Sequence, residues 1–316
     1  MTISDGGKRP APPSAGLPHF THWHVDMACR NVPLVDHLAG EALISNEEAL
    51  DLIDFGSVQV DGRQERNPTR RLKGNEEIRL YWPWNGVHRF YEIDPGRILY
   101  RDRYLLAYDK EPGVPSQQTP ADGYNNLFAA LFRHFERKDA LSPYVALHHR
   151  LDQETSGVMV FALDRSANRS LGEAFEHRKV EKDYLAWVKG KPSEARWISN
   201  EDIGRKGGRY CVFPRGHGKH AETAFQVIHA EADHTLLRAR PLTGRTHQIR
   251  LHLAAAGHPI LGDRLYGGPP SKRLYLHAYR LTLPHPITKS ELVLTAPVPS
   301  DWPPPHSITI PAEPGT

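Results

Sequence analysis

Residues 149–162, HRLDQETSGVMVFA, constrain this chain more than any other stretch. The second half is apolar and rich in strand formers, as a buried strand requires, and the Thr-Ser-Gly ahead of it marks a turn. Asp152 therefore stands on the lip of a strand, where a sheet can hold its carboxylate rigidly toward a groove. Arg150 lies two residues earlier and shares that side if the segment is extended, because side chains alternate along a strand. A guanidinium there can grip phosphate or keep the carboxylate ionised. Most neighbouring Asp and Arg residues are surface ion pairs of little consequence, so this spacing alone does not make a site.

A length of 316 residues suits one large domain and a small one. With 39% hydrophobic and 24% charged residues the composition is that of a globular protein. No apolar run is long enough to span a bilayer, and the N-terminal MTISDGGKRPAPPSAGLP lacks the apolar centre of a secretory signal. Cys29 and Cys211 are too few for a disulfide framework, so a cytoplasmic setting is expected. The net charge is only +3, yet residues 205–221 carry Arg205, Lys206, Arg209, Arg215 and Lys219 without an acid. A second basic cluster holds Arg178, Lys179 and Lys182. Either is a solvated loop or a landing place for a polyanion.

The expected organisation is a disordered leader over 1–25, a small module over 26–84, a connector over 85–97, a large domain over 98–298 and a Pro-rich tail over 299–316. In the module, 32–39 reads as a short helix. Ser45 and Glu48 form a capping box for a second helix ending near Phe55 and Gly56. Val58-Gln59-Val60 reads as a strand, Asp61-Gly62 as a tight turn and 77–82 as a final strand. In the large domain, 127–137 is an amphipathic helix, Ser166 caps another, 184–188 is a strand, and 246–256 is a helix closed by Gly257. Strands and helices that do not alternate regularly predict an α+β fold.

Two more segments have sharp patterns: KVEKDYLAWVKG at 179–190 and LTGRTHQIRLHLAAAGHPILGDRLYG at 242–267. Together with HRLDQETSG they resemble, in order and spacing, the three motifs of pseudouridine synthases of the RluA type, over roughly residues 95–298. The resemblance implies a catalytic domain with a mixed, largely antiparallel sheet and flanking helices. The helix–helix–strand module before it resembles a small RNA-binding module named after a small-subunit ribosomal protein. Two departures stand out. The second helix of the module carries Glu47, Glu48, Asp51 and Asp54 and no Lys or Arg, a poor face for phosphate. Any attraction there falls to Arg63, Arg66, Arg70, Arg71 and Lys73. The family tends to join Lys and Pro directly near the start of the domain, whereas here the order is Lys110-Glu111-Pro112-Gly113.

The resemblance implies isomerisation of uridine to its C5-glycoside in an RNA substrate, ribosomal or transfer RNA, without metal or organic cofactor, by a monomer. Asp152 is the implied catalytic carboxylate, attacking the sugar or removing a sugar proton; the sequence does not choose between these. Glu154 is its neighbour and is assigned a structural part. Tyr184 stacks on the target uracil, and Arg250 pairs with Asp152 while Ile249 packs beside the base. Such a pair at about 4 Å is worth roughly 4 kcal/mol at an effective dielectric near 20, before desolvation. Arg150 fills the gap left by the extruded nucleotide, Arg245 holds phosphate near its helix start, and Lys182 contacts substrate. Arg178, Lys179, Arg205, Lys206, Arg209 and Lys219 are candidates for the RNA backbone.

Nineteen histidines raise the question of metal, but neither His217 with His220 nor His247 with His252 has a completing ligand set. The order H-R-L-D without a Gly-rich loop excludes a kinase. Two rivals stand beside the synthase reading. A catalytically silent RNA-binding protein on the same scaffold would lack Asp152, Tyr184 or Arg250, and all three are here. A nucleoside glycosidase would need a second functional carboxylate and no basic surface.

Overall fold

The computed structural model describes residues 20–83, 86–138 and 143–303. It divides into two units, Met1–Glu92 with Gln117–Arg133, and Ile93–Ser116 with His134–Thr316. Residues 117–133 thus cluster with the first unit, although the sequence places them inside the large domain.

The first unit contains β1 (Phe20–His24), α1 (Leu34–Ala42), α2 (Asn46–Phe55), β2 (Val58–Val60), β3 (Arg63–Gln64) and β4 (Glu77–Tyr81). The strands form one antiparallel sheet in the order β1-β4-β2-β3. Ser45 accepts the Glu48 N–H at 3.1 Å, and Gly56 ends α2 in the left-handed region. Asp61 and Gly62 both have positive φ, the conformation a two-residue hairpin favours. Leu34, Leu38, Leu52, Ile53, Val58 and Ile78 fill the core between helices and sheet.

β1 corrects the disordered leader, which the composition extended to residue 25. Trp23 packs on the core and donates from Nε1 to His37. The rest of that leader, residues 1–19, lies outside the described residues. The link to 117–133 is made by Ser57, whose hydroxyl donates to the Ala121 carbonyl, and by Arg66, which donates to the Gly123 carbonyl.

The second unit is built on β5 (Ile98–Arg101), β6 (Leu105–Lys110), β7 (Ala146–Leu147), β8 (Ser156–Ala162), β9 (Glu181–Lys189), β10 (Arg196–Ser199), β13 (Thr223–Ala230), β14 (His234–Pro241), β15 (Leu276–Pro284) and β16 (Glu291–Thr295). Eight of them run β10-β13-β14-β9-β15-β8-β6-β5, with β16 paired to β15 and β7 to β8. A separate hairpin joins β11 (Asp202–Lys206) to β12 (Arg209–Phe213). The helices are α3 (Leu127–Lys138), which begins in the first unit, α4 (Arg165–Glu176) and α5 (Gln248–Ala255). All pairings are antiparallel except β8 with β15, so the sheet is mixed and largely antiparallel.

That parallel pairing explains the glycine of the ETSG turn. Gly157 sits at φ +116, and a Cβ there would collide with the backbone of Ala278 on β15. The core on the other side of β15 holds Leu185, Trp187, Leu236, Leu237, Ile249, Leu253 and Leu276. Two local expectations are corrected. Asp164, not Ser166, caps α4: its carboxylate accepts both the N–H and the hydroxyl of Ser166. The Pro-rich tail also begins later than residue 299, because Trp302 is buried against Tyr275 and His277. An indole offers enough apolar area to outweigh the prolines around it.

Candidate active site

The turn bearing Asp152 is pinned on both sides. Ser116 Oγ donates to the Leu151 carbonyl at 2.7 Å and accepts the Leu151 N–H at 3.0 Å. On the other flank Lys110 Nζ donates to the carbonyls of Gln153, Glu111 and Val114, and Gly113 N–H also donates to Gln153. Lys110 is fully buried, which pushes its ammonium down to about 7 against the pull of Glu111, Glu154 and Asp152. The departure from a direct Lys-Pro pair is thus accommodated: the lysine reaches around the Pro-Gly turn and ties it to the acid's own loop. Glu154 is exposed.

Arg250 arrives from α5. Its Nε and Nη2 form a two-pronged bond with Asp263, at 2.8 Å each, while Nη1 donates to Asp152 Oδ2 at 3.3 Å. Burial opposes the guanidinium's charge, but Asp263 and then Asp152 outweigh it and raise its pKa. Asp263 is held in turn by the N–H groups of Leu265 and Tyr266, and the Tyr266 ring lies 5.1 Å from the guanidinium carbon. The start of α5 is fixed by Gln248, which accepts from Thr243 Oγ1 and Arg245 N–H and donates to the Glu222 carbonyl and Thr223 Oγ1. These bonds account for the GRTHQ run: a buried amide with two acceptors and two donors used locks the loop that delivers Arg250.

Tyr184 comes from β9, opposite Ala239 on β14 and Ala278 on β15. Burial and then the charge of Asp152 push its hydroxyl far above the ordinary phenol range, so it is neutral at any physiological pH. Lys182, on the same strand, lines a small hollow with Tyr184, His149, Val158 and Ala278, and burial lowers its pKa. Ile249 is buried in the core with Leu253. Arg150 is exposed, and its charge acts on the Tyr210 hydroxyl. His149, beside it, accepts the Val160 N–H and stacks on Phe175, which makes it a structural part of the HRLD segment.

The basic run after Ile203 is a hairpin, not the loop its charge suggested. Gly207 and Gly208, both at positive φ, turn the chain, with Arg205, Lys206 and Arg209 exposed around them. The Arg205 guanidinium lies 4.5 Å from the Tyr210 ring centre. Ile203, Ala221 and Leu251 form a small core with Tyr210, Val212 and Tyr266, so the hairpin is seated on α5. Exposed Lys219 exchanges two backbone bonds with Ile203. Arg178 and Lys179 are exposed in the turn after α4, Arg178 at φ 56. Arg245 stands just before α5, which starts at Gln248 and not at Thr246 as expected, and its Nε donates to the His220 carbonyl.

Sequence reasoning missed Asp263, His247 and Tyr266. All three lie within the 242–267 segment, but an arginine's partner is decided in space, and no spacing rule points from Arg250 to an acid thirteen residues on. Among the described residues there is no group of three or more His, Cys, Asp or Glu side chains placed to hold a metal ion. No helix among them is long and apolar enough to cross a membrane.

The fold brings Asp152, Tyr184 and Arg250 into one candidate site, and comparison with known proteins gives the class. The model of the RNA pseudouridylate synthase family matches residues 104–255. The ribosomal large subunit pseudouridine synthase C of Haemophilus ducreyi is 35% identical over 269 residues, covering 78% of this chain and 79% of that protein. The dual-specificity RNA pseudouridine synthase RluA of Escherichia coli is 34% identical over 214 residues, 63% of this chain and 92% of that protein. Among solved structures, human RNA pseudouridylate synthase domain containing 4 superimposes with a TM-score of 0.55 at 27% identity, covering 64% of this chain and 88% of that one. The chain belongs to the RNA pseudouridine synthases of the RluA type. It is an isomerase that acts on RNA.

Proposed function

We propose that this enzyme converts uridines of structured ribosomal or transfer RNA to pseudouridine, with Asp152 as the acting carboxylate. One observation supports the reading above the rest. Arg250 holds Asp152 by Oδ2 alone, and among the described residues Oδ1 receives no hydrogen bond, on a side chain that is 25% exposed. A fixed and half-open carboxylate is what either route needs, attack on C1′ or removal of a sugar proton. In the reaction the C1′–N1 bond breaks, C1′ joins C5, the C5 proton leaves and N1 takes one up. Nothing is oxidised or reduced.

In this account Tyr184 stacks on the uracil, a contact worth about 1–3 kcal/mol per base. Ile249 closes the pocket, Lys182 contacts the nucleotide, and Arg150 occupies the place the extruded base leaves. Arg245 with Arg178, Lys179, Arg205, Lys206, Arg209 and Lys219 attracts the backbone phosphates. The first unit adds little to affinity. Arg89 neutralises Asp51 and Asp54 on α2, but Arg70 is spent on Glu65 and Glu76, and Arg66 on a carbonyl. The enzyme works as a monomer in the cytoplasm, which light scattering and fractionation test.

The relatives are named for the ribosomal large subunit and for dual specificity, so the target is decided by mapping. Chemical probing of pseudouridine in total RNA, with and without the gene, is expected to lose discrete sites in ribosomal or transfer RNA. An unchanged map, with purified protein inactive on that RNA, contradicts the proposal.

A further inference from the structure

His247 stands just before α5 at φ 56, in the left-handed region that is uncommon for non-glycine residues but that histidine visits more readily than most. Its Nδ1 meets the Tyr266 hydroxyl at 2.6 Å, and its ring lies edge-on to those of Tyr210 and Tyr266. The other nitrogen, Nε2, lies 3.9 Å from Asp152 Oδ2, the same oxygen that Arg250 engages. Burial pushes the Tyr266 phenol up to about 12, so its O–H keeps its proton and is free to donate to Nδ1. The ring proton then belongs on Nε2, where the carboxylate's charge favours a donor over a lone pair.

We propose that His247, set by Tyr266, is a positioning residue for Asp152: its neutral ring turns an N–H toward Oδ2 and, with Arg250, reserves that oxygen so that Oδ1 acts on the sugar. The distance is too long for a bond in the free enzyme, and closes when bound RNA excludes water from the groove. This inference rests on Asp152 being the acting carboxylate.

The neutral form matters because of what surrounds the ring. Asp152 faces it from the turn before β8, Arg250 from α5, Asp263 and Tyr266 from the loop after α5, and Tyr210 from β12. Burial lowers the imidazole pKa most, Asp152 raises it, Arg250 lowers it and Asp263 raises it; the balance falls below the ordinary 6.5. Protonation in acid sets a second full cation against Asp152 and weakens it as nucleophile or base.

The test is a single-turnover rate at saturating enzyme, followed by tritium release from C5-labelled RNA across about pH 5 to 8, which removes binding from the observed rate. His247→Ala is expected to lower the rate about 10- to 100-fold, the worth of a hydrogen bond to a charged group, with RNA affinity within about threefold. His247→Gln, whose amide still donates, restores part of that loss and lacks the acid limb of the wild type. Tyr266→Phe lowers the rate in the wild-type background but not in His247→Ala, because the two act as one unit. A His247→Ala rate within about twofold of wild type, or an acid limb unchanged in both histidine variants, overturns the proposal. Asp152→Asn run alongside separates the two claims. If it is inactive while His247→Ala is fully active, the carboxylate reading stands and the inference about His247 falls. If it is active, both fall.

Discussion

Arg250 answers to two carboxylates, and the difference between them sets what each contributes. Asp263 is 1% exposed and takes both prongs of the guanidinium; Asp152 is 25% exposed and takes one nitrogen. The first is a buried pair whose loss leaves an uncompensated charge, so Asp263→Ala should destabilise the fold by about 3–5 kcal/mol in urea unfolding. A cost below about 1 kcal/mol would show that Arg250 is solvated, not buried and paired. For Arg250→Lys the outcome is different in kind. The charge stays but the planar fork is lost, so single-turnover rate falls strongly while RNA affinity is nearly intact. A wild-type single-turnover rate in the lysine variant would mean that Arg250 serves only as a cation. The pairing of Asp152 with Arg250 was legible because their motifs carry the two residues in order along the chain. Asp263, His247 and Tyr266 were not, because what selects them is contact across a folded loop, which residue type and spacing do not encode.

At the scale of elements, strands announce themselves better than caps and turns do. The apolar run after Gly157 became β8, and Ser45 with Glu48 opened α2, since both depend on neighbours in sequence. Asp164 and Ser166 are both good capping residues two positions apart, and only the geometry selects the first. The β11–β12 hairpin was hidden because basic residues masked a Gly-Gly turn between short alternating strands. In the proposed function, its seat on α5 makes it a tether for RNA beside Arg250. Replacing Arg205, Lys206 and Arg209 with Ala should flatten the slope of log affinity against log salt by roughly 2 if all three touch backbone, at 0.7 to 0.9 per phosphate neutralised. A slope equal to wild type would leave the hairpin as a solvated arm.

Across the whole molecule, acid is the condition that most threatens the fold. His277 is fully buried between β8 and the tail, with Ser156 Oγ on its Nδ1, and burial holds its pKa down to about 3. Unfolded, it titrates near 6.5, so the unfolded chain binds the extra proton. Stability present above pH 6.5 is therefore lost as pH falls toward 3, at roughly 1.4 kcal/mol per pH unit from this residue. Urea titrations over that range should show the decline, and His277→Asn should flatten it by that amount; an unaltered slope contradicts the burial argument. Removing residues 1–84 is not a clean test of the first unit, because Gln117–Arg133 packs within it. Neutral substitutions of Arg63 and Lys73 in the full chain, both exposed, ask the same question without unfolding it. The central claim concerns one oxygen on one side chain. Asn in place of Asp152 keeps size and polarity but supplies neither a nucleophile nor a base. The most direct measurement is tritium release from C5-labelled RNA by wild type and Asp152→Asn at matched RNA occupancy. Release by the wild type and none by the variant, with RNA affinity within about threefold, is the predicted result. Release by the variant near the wild-type rate would contradict it.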